Sequence, residues 1–158
     1  MADWAIESPS VAVLGLNPHA GEGGDIGSTD ERIVTPVTKE LRRSGLDIGG
    51  PFPADSFFGR YKAGQYDAVI AMYHDQGLIP LKMSSFGKAV NVSVGLPIIR
   101  TSPDHGTAFD IAGMGVADPG SMAAAIRLAA GILGNRKRIL EASIRALAPG
   151  AGRGRQKR

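Results

Sequence analysis

Two short, nearly continuous apolar runs constrain this chain most: Val11-Ala12-Val13-Leu14-Gly15-Leu16 and, behind Asp67, Ala68-Val69-Ile70-Ala71-Met72. A strand with one wet face alternates apolar and polar residues. A run that is apolar at every step instead suits a strand buried on both faces, as in a parallel sheet covered by helices. Between the runs, Ile33, Val34, Val37 and Leu41 recur at helical spacing and Gly45 follows as a terminator. Strands alternating with helices give an α/β class with a mostly parallel sheet. Such sheets gather their chemistry in the loops beyond the C-terminal ends of the strands. All three histidines stand there, each just after an apolar run: His19 in Asn17-Pro18-His19-Ala20-Gly21-Glu22-Gly23-Gly24, His74 in Tyr73-His74-Asp75-Gln76-Gly77, and His105 in Asp104-His105-Gly106-Thr107-Ala108.

The remaining segments follow local rules. Residues 1–9 read as a leader to the first strand. Ser28 and Glu31 fit a capping box, and Pro36 predicts a bend or break near Thr35. Asp47 to Pro53 reads as a Gly/Pro connection. Asp55 or Ser56 is expected to cap a short helix through Phe57, Phe58 and Tyr61, ending near Gly64. Leu78 to Met83 suits a short helix or a strand equally. Val90 to Leu96 reads as a strand, with Pro97 to Arg100 leading out of it. An Ala-rich helix is expected over Pro119 to Leu133, capped by Ser121, with a second helix from Asn135 to Leu147 stopped by Pro149. Residues 1–147 are expected to form one α/β domain and 148–158 a disordered basic tail.

Composition removes several function classes. With 158 residues, 43% hydrophobic, the chain suits one domain or part of a larger one. The absence of cysteine excludes disulfides, thiolate metal sites and cysteine nucleophiles. No apolar run approaches the roughly 20 residues that span a bilayer, and no basic-then-apolar leader opens the chain, so a cytoplasmic protein without a membrane partner is expected. The formal charge of +3 is uneven. Arg136, Lys137, Arg138 and Arg145, with Arg153, Arg155, Lys157 and Arg158 in the tail, stand against Glu141 alone, so the rest of the chain is net acidic. Without interleaved aromatics or a binding motif, this basic end does not read as a nucleic-acid surface.

His19 and His74, each after a candidate parallel strand, could hold a divalent cation through neutral imidazoles, with Glu22 and Asp75 close by in sequence. Ordinary loop histidines bonded to backbone remain the alternative, because a catalytic zinc normally takes three protein ligands. Gly21, Gly23 and Gly24 could bring backbone N–H groups to an anion. Lys82, Lys88 and Arg100 could bind a carboxylate or phosphate, or form a solvated rim.

These stretches, together with Pro53-Ala54-Asp55, Gly95-Leu96-Pro97 and Arg100-Thr101-Ser102, resemble the 4-hydroxythreonine-4-phosphate dehydrogenase family of vitamin B6 biosynthesis from about Val11 to Leu133. The segment from His105 to Pro119, with its Asp110-Ile111-Ala112-Gly113, resembles the adenosine-binding loop of the wider isopropylmalate and isocitrate dehydrogenase superfamily. The resemblance implies a three-layer α/β/α half of an isopropylmalate dehydrogenase-like fold. It implies oxidation of a secondary alcohol β to a carboxylate by NAD (or NADP) at a divalent metal (Zn, Mg, Co or Mn), followed by loss of carbon dioxide. By motif, His19 and His74 become metal ligands. Lys82, Asn91 and Arg100 become contacts to an anionic small-molecule substrate, and His105, Gly106, Thr107, Ala108 and Asp110 become the dinucleotide loop. It also implies a homodimer whose shared site takes the His74 equivalent from the neighbouring subunit. Family members carry an N-terminal region that supplies a third metal histidine and a substrate-binding His-Thr pair. This chain corresponds to roughly the C-terminal half. Near Asp30 the family carries a more acidic pair than Thr29-Asp30. Related substrates are 4-phospho-threonate or erythronate and aromatic cis-dihydrodiols, and a non-catalytic module is the alternative outside the enzyme class.

Overall fold

The computed structural model describes residues 2–62 and 64–147, which divide into two compact units, 7–89 and 2–6 with 90–147. The expected tail, 148–158, lies outside the described residues.

Unit 7–89 is built on a three-stranded parallel sheet. Its strands are β1 (Ser10–Leu14), β2 (Asp47–Phe52) and β3 (Ala68–Ile70), in the order β2-β1-β3. The central strand is the first apolar run, and Ala12, Val13 and Leu14 are at most 6% exposed. Burying a side chain the size of Leu14 contributes about 1.5–3 kcal/mol. The second run also forms a parallel strand, but at a sheet edge, where Ala68 and Val69 are half-buried and Ile70 is exposed. The apolar pattern therefore gave the pairing direction of β3 and overstated its burial.

The Gly/Pro stretch expected as a connection is instead the other edge strand, β2. Ser10 to Ala12 pair with Asp47 to Gly49, and an irregularity shifts the register so that Leu14 meets Phe52. A proline removes a ladder donor, which an edge strand at a bulge tolerates; Pro51 sits there after a cis peptide bond.

The helix after the Gly-rich loop opens as a π-helical turn, Asp30–Val34, and continues as α1 (Thr35–Arg43). The break expected from Pro36 is this change of winding, since proline cannot donate to the carbonyl four residues back. No side-chain cap closes the start at Thr29; Ser28 contributes its carbonyl, which accepts from Arg32 N at 2.9 Å. Helix α2 (Ala54–Arg60) begins two residues earlier than a cap at Asp55 would give, so Asp55 and Ser56 lie inside it and Ser56 Oγ donates back to Pro53 O. Phe57 stacks on Phe52 at 5.5 Å between ring centroids and meets Tyr66 at 5.9 Å, fixing α2 over the end of β2. The ambiguous stretch at 78–83 is helical, within α3 (His74–Ser85).

In the other unit, the strand expected over Val90 to Leu96 is β4 (Val90–Ser93), and it pairs antiparallel with β5 (Arg100–Pro103), which begins where the expected lead-out, Pro97 to Arg100, ends. The two expected C-terminal helices are one, α4 (Gly120–Leu147). Ser121 does not cap it; its Oγ accepts from Asp104 N, while Asp118 Oδ1 takes Gly120 N at 2.8 Å. Ser121, Ala125 and Ile132 form the buried face of α4. The expected leader is tied to this helix: Asp3 accepts from Arg136 through both oxygens, at 2.6 and 2.9 Å, and Asn135 Nδ2 donates to Asp3 O. The guanidinium of Arg136 holds the Asp3 carboxyl below the ordinary aspartate range. Among the described residues no helix is long and apolar enough to cross a membrane. The chain is thus an α/β fold with a parallel sheet and a separate antiparallel hairpin.

Candidate functional site

Because β1, β2 and β3 run parallel, their C-terminal ends share one sheet edge. Val13 lies opposite Ile70 and Leu14 opposite Phe52. The chain leaving each end carries a polar group: His19 after β1, Asp55 after β2, His74 after β3. His19, Asp55, Tyr73 and Gln76 line a cavity of about 310 Å³ together with Leu16 to Pro18 and Ala54. His74 opens α3 beside it in sequence and is exposed, as is His19.

The loop bearing His19 has an unusual backbone. His19 (φ 53°), Ala20 (φ 53°) and Glu22 (φ 45°) are left-handed together with Gly21 and Gly23. For an L-residue this conformation costs roughly 1–2 kcal/mol, so the loop needs an anchor. The buried side chain of Asp30 supplies it. Oδ1 accepts from Leu16 N at 2.7 Å; Oδ2 accepts from Asn17 N at 2.8 Å and Asn17 Nδ2 at 3.0 Å. Gly15 lets the loop fold back, since a Cβ there would lie 2.8 Å from Ala20 Cα. Gln76, 8% exposed, accepts from Met72 N and donates to Gly15 O, each at 2.7 Å.

Asp30, Asp55 and Gln76 were not singled out by pattern. Asp30 was expected inside a capped helix, Asp55 as a cap, and Gln76 as part of a loop. The signal available was position: each stands in, or one helical turn beyond, a segment that leaves the same sheet edge.

Lys82 lies on α3 with its side chain exposed and engaged in a further interaction. In the other unit, the pairings Asn91 with Ser102 and Ser93 with Arg100 put Asn91 and Arg100 on one face of the hairpin, since alternate residues share a face. Arg100 Nη1 donates to Ser93 Oγ at 3.1 Å, which orients the guanidinium on that face. Thr101 points the other way, donating to Ala125 O of α4. His105, Gly106, Thr107, Ala108 and Asp110 are all exposed; Ala108 is left-handed and precedes a single turn at Phe109–Ile111. His105 Nδ1 lies 3.0 Å from Gly106 O.

Two imidazoles are suitable donors for a divalent cation, but among the described residues no three His, Asp or Glu side chains gather as a cation site. The donor set is therefore short of a complete centre.

Comparison with known proteins supplies the context. The family model for pyridoxal phosphate biosynthetic protein PdxA matches residues 1–129. The 4-hydroxythreonine-4-phosphate dehydrogenase of Aromatoleum aromaticum is 55% identical over 133 residues, which is 84% of this chain and 41% of that protein. The enzyme of the same name from Bradyrhizobium diazoefficiens is 55% identical over 126 residues, 80% of this chain and 36% of its own length. Among solved structures, the 4-hydroxythreonine-4-phosphate dehydrogenase of Klebsiella pneumoniae superposes with a TM-score of 0.71 at 51% identity, covering 82% of this chain and 39% of that one. A terephthalate 1,2-cis-dihydrodiol dehydrogenase from Burkholderia xenovorans gives 0.61 at 41% identity, covering 80% and 40%. The chain spans about two fifths of the length of the relatives it matches. On this match the chain belongs to the pyridoxal phosphate biosynthetic PdxA family.

Proposed function

We propose that this chain is part of a cytoplasmic dehydrogenase that oxidises 4-phosphohydroxy-L-threonine in pyridoxal phosphate biosynthesis, with NAD (or NADP) as oxidant, a bound divalent cation (Zn, Mg, Co or Mn), and loss of carbon dioxide from the β-keto acid. The observation that carries the reading is the convergence of the His19, Asp55 and His74 segments at one sheet edge, in a chain 55% identical to enzymes of that name. The roles of this chain's residues follow from their chemistry. Arg100, oriented by Ser93 and beside Asn91, offers a planar cation to a phosphate or carboxylate. Within unit 7–89, Lys82 offers a positive charge, and His19 and His74 offer imidazole donors. The cation site and the dinucleotide site are completed by residues outside this chain: the N-terminal region that the relatives carry, and a second copy in a homodimer. The exposed Ile79, Met83 and Phe86 are apolar surface that such an assembly covers.

A second reading has its own support. The 41% identity to a terephthalate cis-dihydrodiol dehydrogenase favours an aromatic diol substrate. One experiment separates these readings from a non-catalytic module. The chain is joined to the N-terminal region of the Klebsiella relative, and NADH formation is followed with each substrate. Turnover of the phosphorylated amino acid, lost in His19→Ala and His74→Ala, is expected. Turnover of the diol alone selects the second reading. A folded chimera that turns over neither refutes both.

A further inference from the structure

Gln76 makes an arrangement that its place in a polar loop motif does not explain. Its side chain is buried, and both ends of its amide are used across two strand ends. Oε1 accepts from Met72 N, two residues beyond β3 and two before His74. Nε2 donates to Gly15 O, one residue beyond β1 and four before His19. The main-chain pairing of these strands reaches Val13 opposite Ile70, and past that point the two backbones separate into their loops. The Gln76 amide ties them together again beyond the ladder, and the same side chain lines the cavity that holds His19, Asp55 and Tyr73.

We propose that Gln76 is a positioning residue that sets the His19 loop against the start of the His74 helix. Its catalytic meaning rests on the function proposed above. The bridge requires one acceptor and one donor at the end of a three-carbon stem, which is an amide. Glutamate keeps the stem and the acceptor toward Met72 N but turns a second acceptor toward Gly15 O, where two oxygens repel. Methionine keeps the length and removes both bonds. These two nearly isosteric changes separate the two halves of the bridge.

The test compares the full chain with Gln76→Glu, Gln76→Met and Thr38→Val. Thr38 is a matched control: it is 2% exposed and donates to Val34 O at 2.8 Å, within the first helix and away from the cavity lining. Ring-carbon NMR signals of the three histidines are recorded at one fixed pH, with amide exchange at Met72. In Gln76→Glu the His19 signal shifts while Met72 keeps its protection. In Gln76→Met both His19 and His74 shift and the Met72 amide exchanges about tenfold faster, the loss of one hydrogen bond. Thr38→Val lowers the melting temperature and leaves the rings of His19 and His74 in place, and His105 stays unshifted throughout. Unshifted His19 in Gln76→Glu, or equal shifts in Thr38→Val, overturns the proposal; this pair decides even where Gln76→Met fails to fold. A parallel Zn²⁺ titration keeps the two readings apart. Shifted rings in a chain that binds no Zn²⁺ leave the positioning role standing and count against the cation. Tight Zn²⁺ binding with unshifted rings does the reverse.

Discussion

Replacing Asp30 with asparagine tests the anchoring of the His19 loop most directly, because the substitution keeps the shape and changes one acceptor into a donor. Asp30 Oδ1 takes one N–H and Oδ2 takes two, at 2.7 to 3.0 Å. Whichever way the new amide turns, its NH₂ meets at least one backbone N–H. The cheaper orientation places it against Leu16 N and loses one bond. A hydrogen bond to a charged acceptor contributes about 1.5–3 kcal/mol, and an N–H left without a partner costs a further ~1–3 kcal/mol where water is kept out. His19 and Leu16 are exposed, so water reaches this loop and the lower part of the combined range applies, about 2.5–4 kcal/mol. Asp30→Ala removes all three hydrogen bonds and is expected to cost somewhat more, although it also relieves the desolvation of a buried carboxylate. With a urea dependence of about 2 kcal/mol per molar, Asp30→Asn moves the denaturation midpoint followed by far-UV circular dichroism down by about 1–2 M. Amide exchange at Leu16 and Asn17 rises selectively. A midpoint within about 0.3 M of the unmodified chain, with those amides still protected, refutes the idea that Asp30 holds the left-handed loop.

Two further outcomes follow from local geometry. At Gly50 the backbone has φ +117°, and a Cβ would lie 2.2 Å from Val13 O, so Gly50→Ala forces β2 off the central strand; a loss of about 3 kcal/mol or more is expected in thermal denaturation, and an unchanged midpoint contradicts the register. Asp67 accepts from Ser10 N at 2.8 Å and from Ser10 Oγ at 3.0 Å, and these bonds hold its carboxyl below the ordinary aspartate range. A depressed folded-state value means that its stabilisation is present above about pH 4 and disappears as pH falls through the lowered value. Asp67→Asn is therefore less stable than the parent at neutral pH, and the gap narrows in acid; a constant gap across that range argues against the ionised partner.

The sequence carried the sheet more clearly than its edges. Val11 to Leu16 reads as a buried parallel strand because burial on both faces leaves an all-apolar imprint, and β1 is that strand. Edge strand β3 carries the same imprint with Ile70 exposed, whereas edge strand β2 lacks it. Asp47 to Phe52 contains two glycines and a proline, and only its parallel pairing with Ser10 to Leu14 makes it a strand. Arg100 to Pro103 is held by its partner β4 and by Thr101 bonding to α4, contacts that no local propensity encodes. The helix at Gly120–Leu147 runs unbroken through Gly134-Asn135, where local propensity alone predicts a division. Asn135 in fact points its amide at Asp3 O, and Arg136 closes on the Asp3 carboxylate, so tertiary bonds hold the helix through the weak point.

The same asymmetry governs the site. Histidines are few and chemically distinctive, so their position after apolar runs is visible in one dimension. The residues that place them are not distinctive. Asp30 is an ordinary acid near a helix start until its three bonds to Leu16 and Asn17 are known, and Gln76 is a surface-type residue until it is found buried between two strand ends. Both act on main-chain groups, and main-chain groups leave no trace in a sequence. Their placement also explains why two histidines 55 positions apart belong to one edge. Parallel pairing brings the strands level, after which one carboxylate shapes the first loop and one amide ties it to the second. If that division of labour is right, damage to Asp30 disorders the His19 loop alone, whereas damage to Gln76 displaces His19 and His74 together.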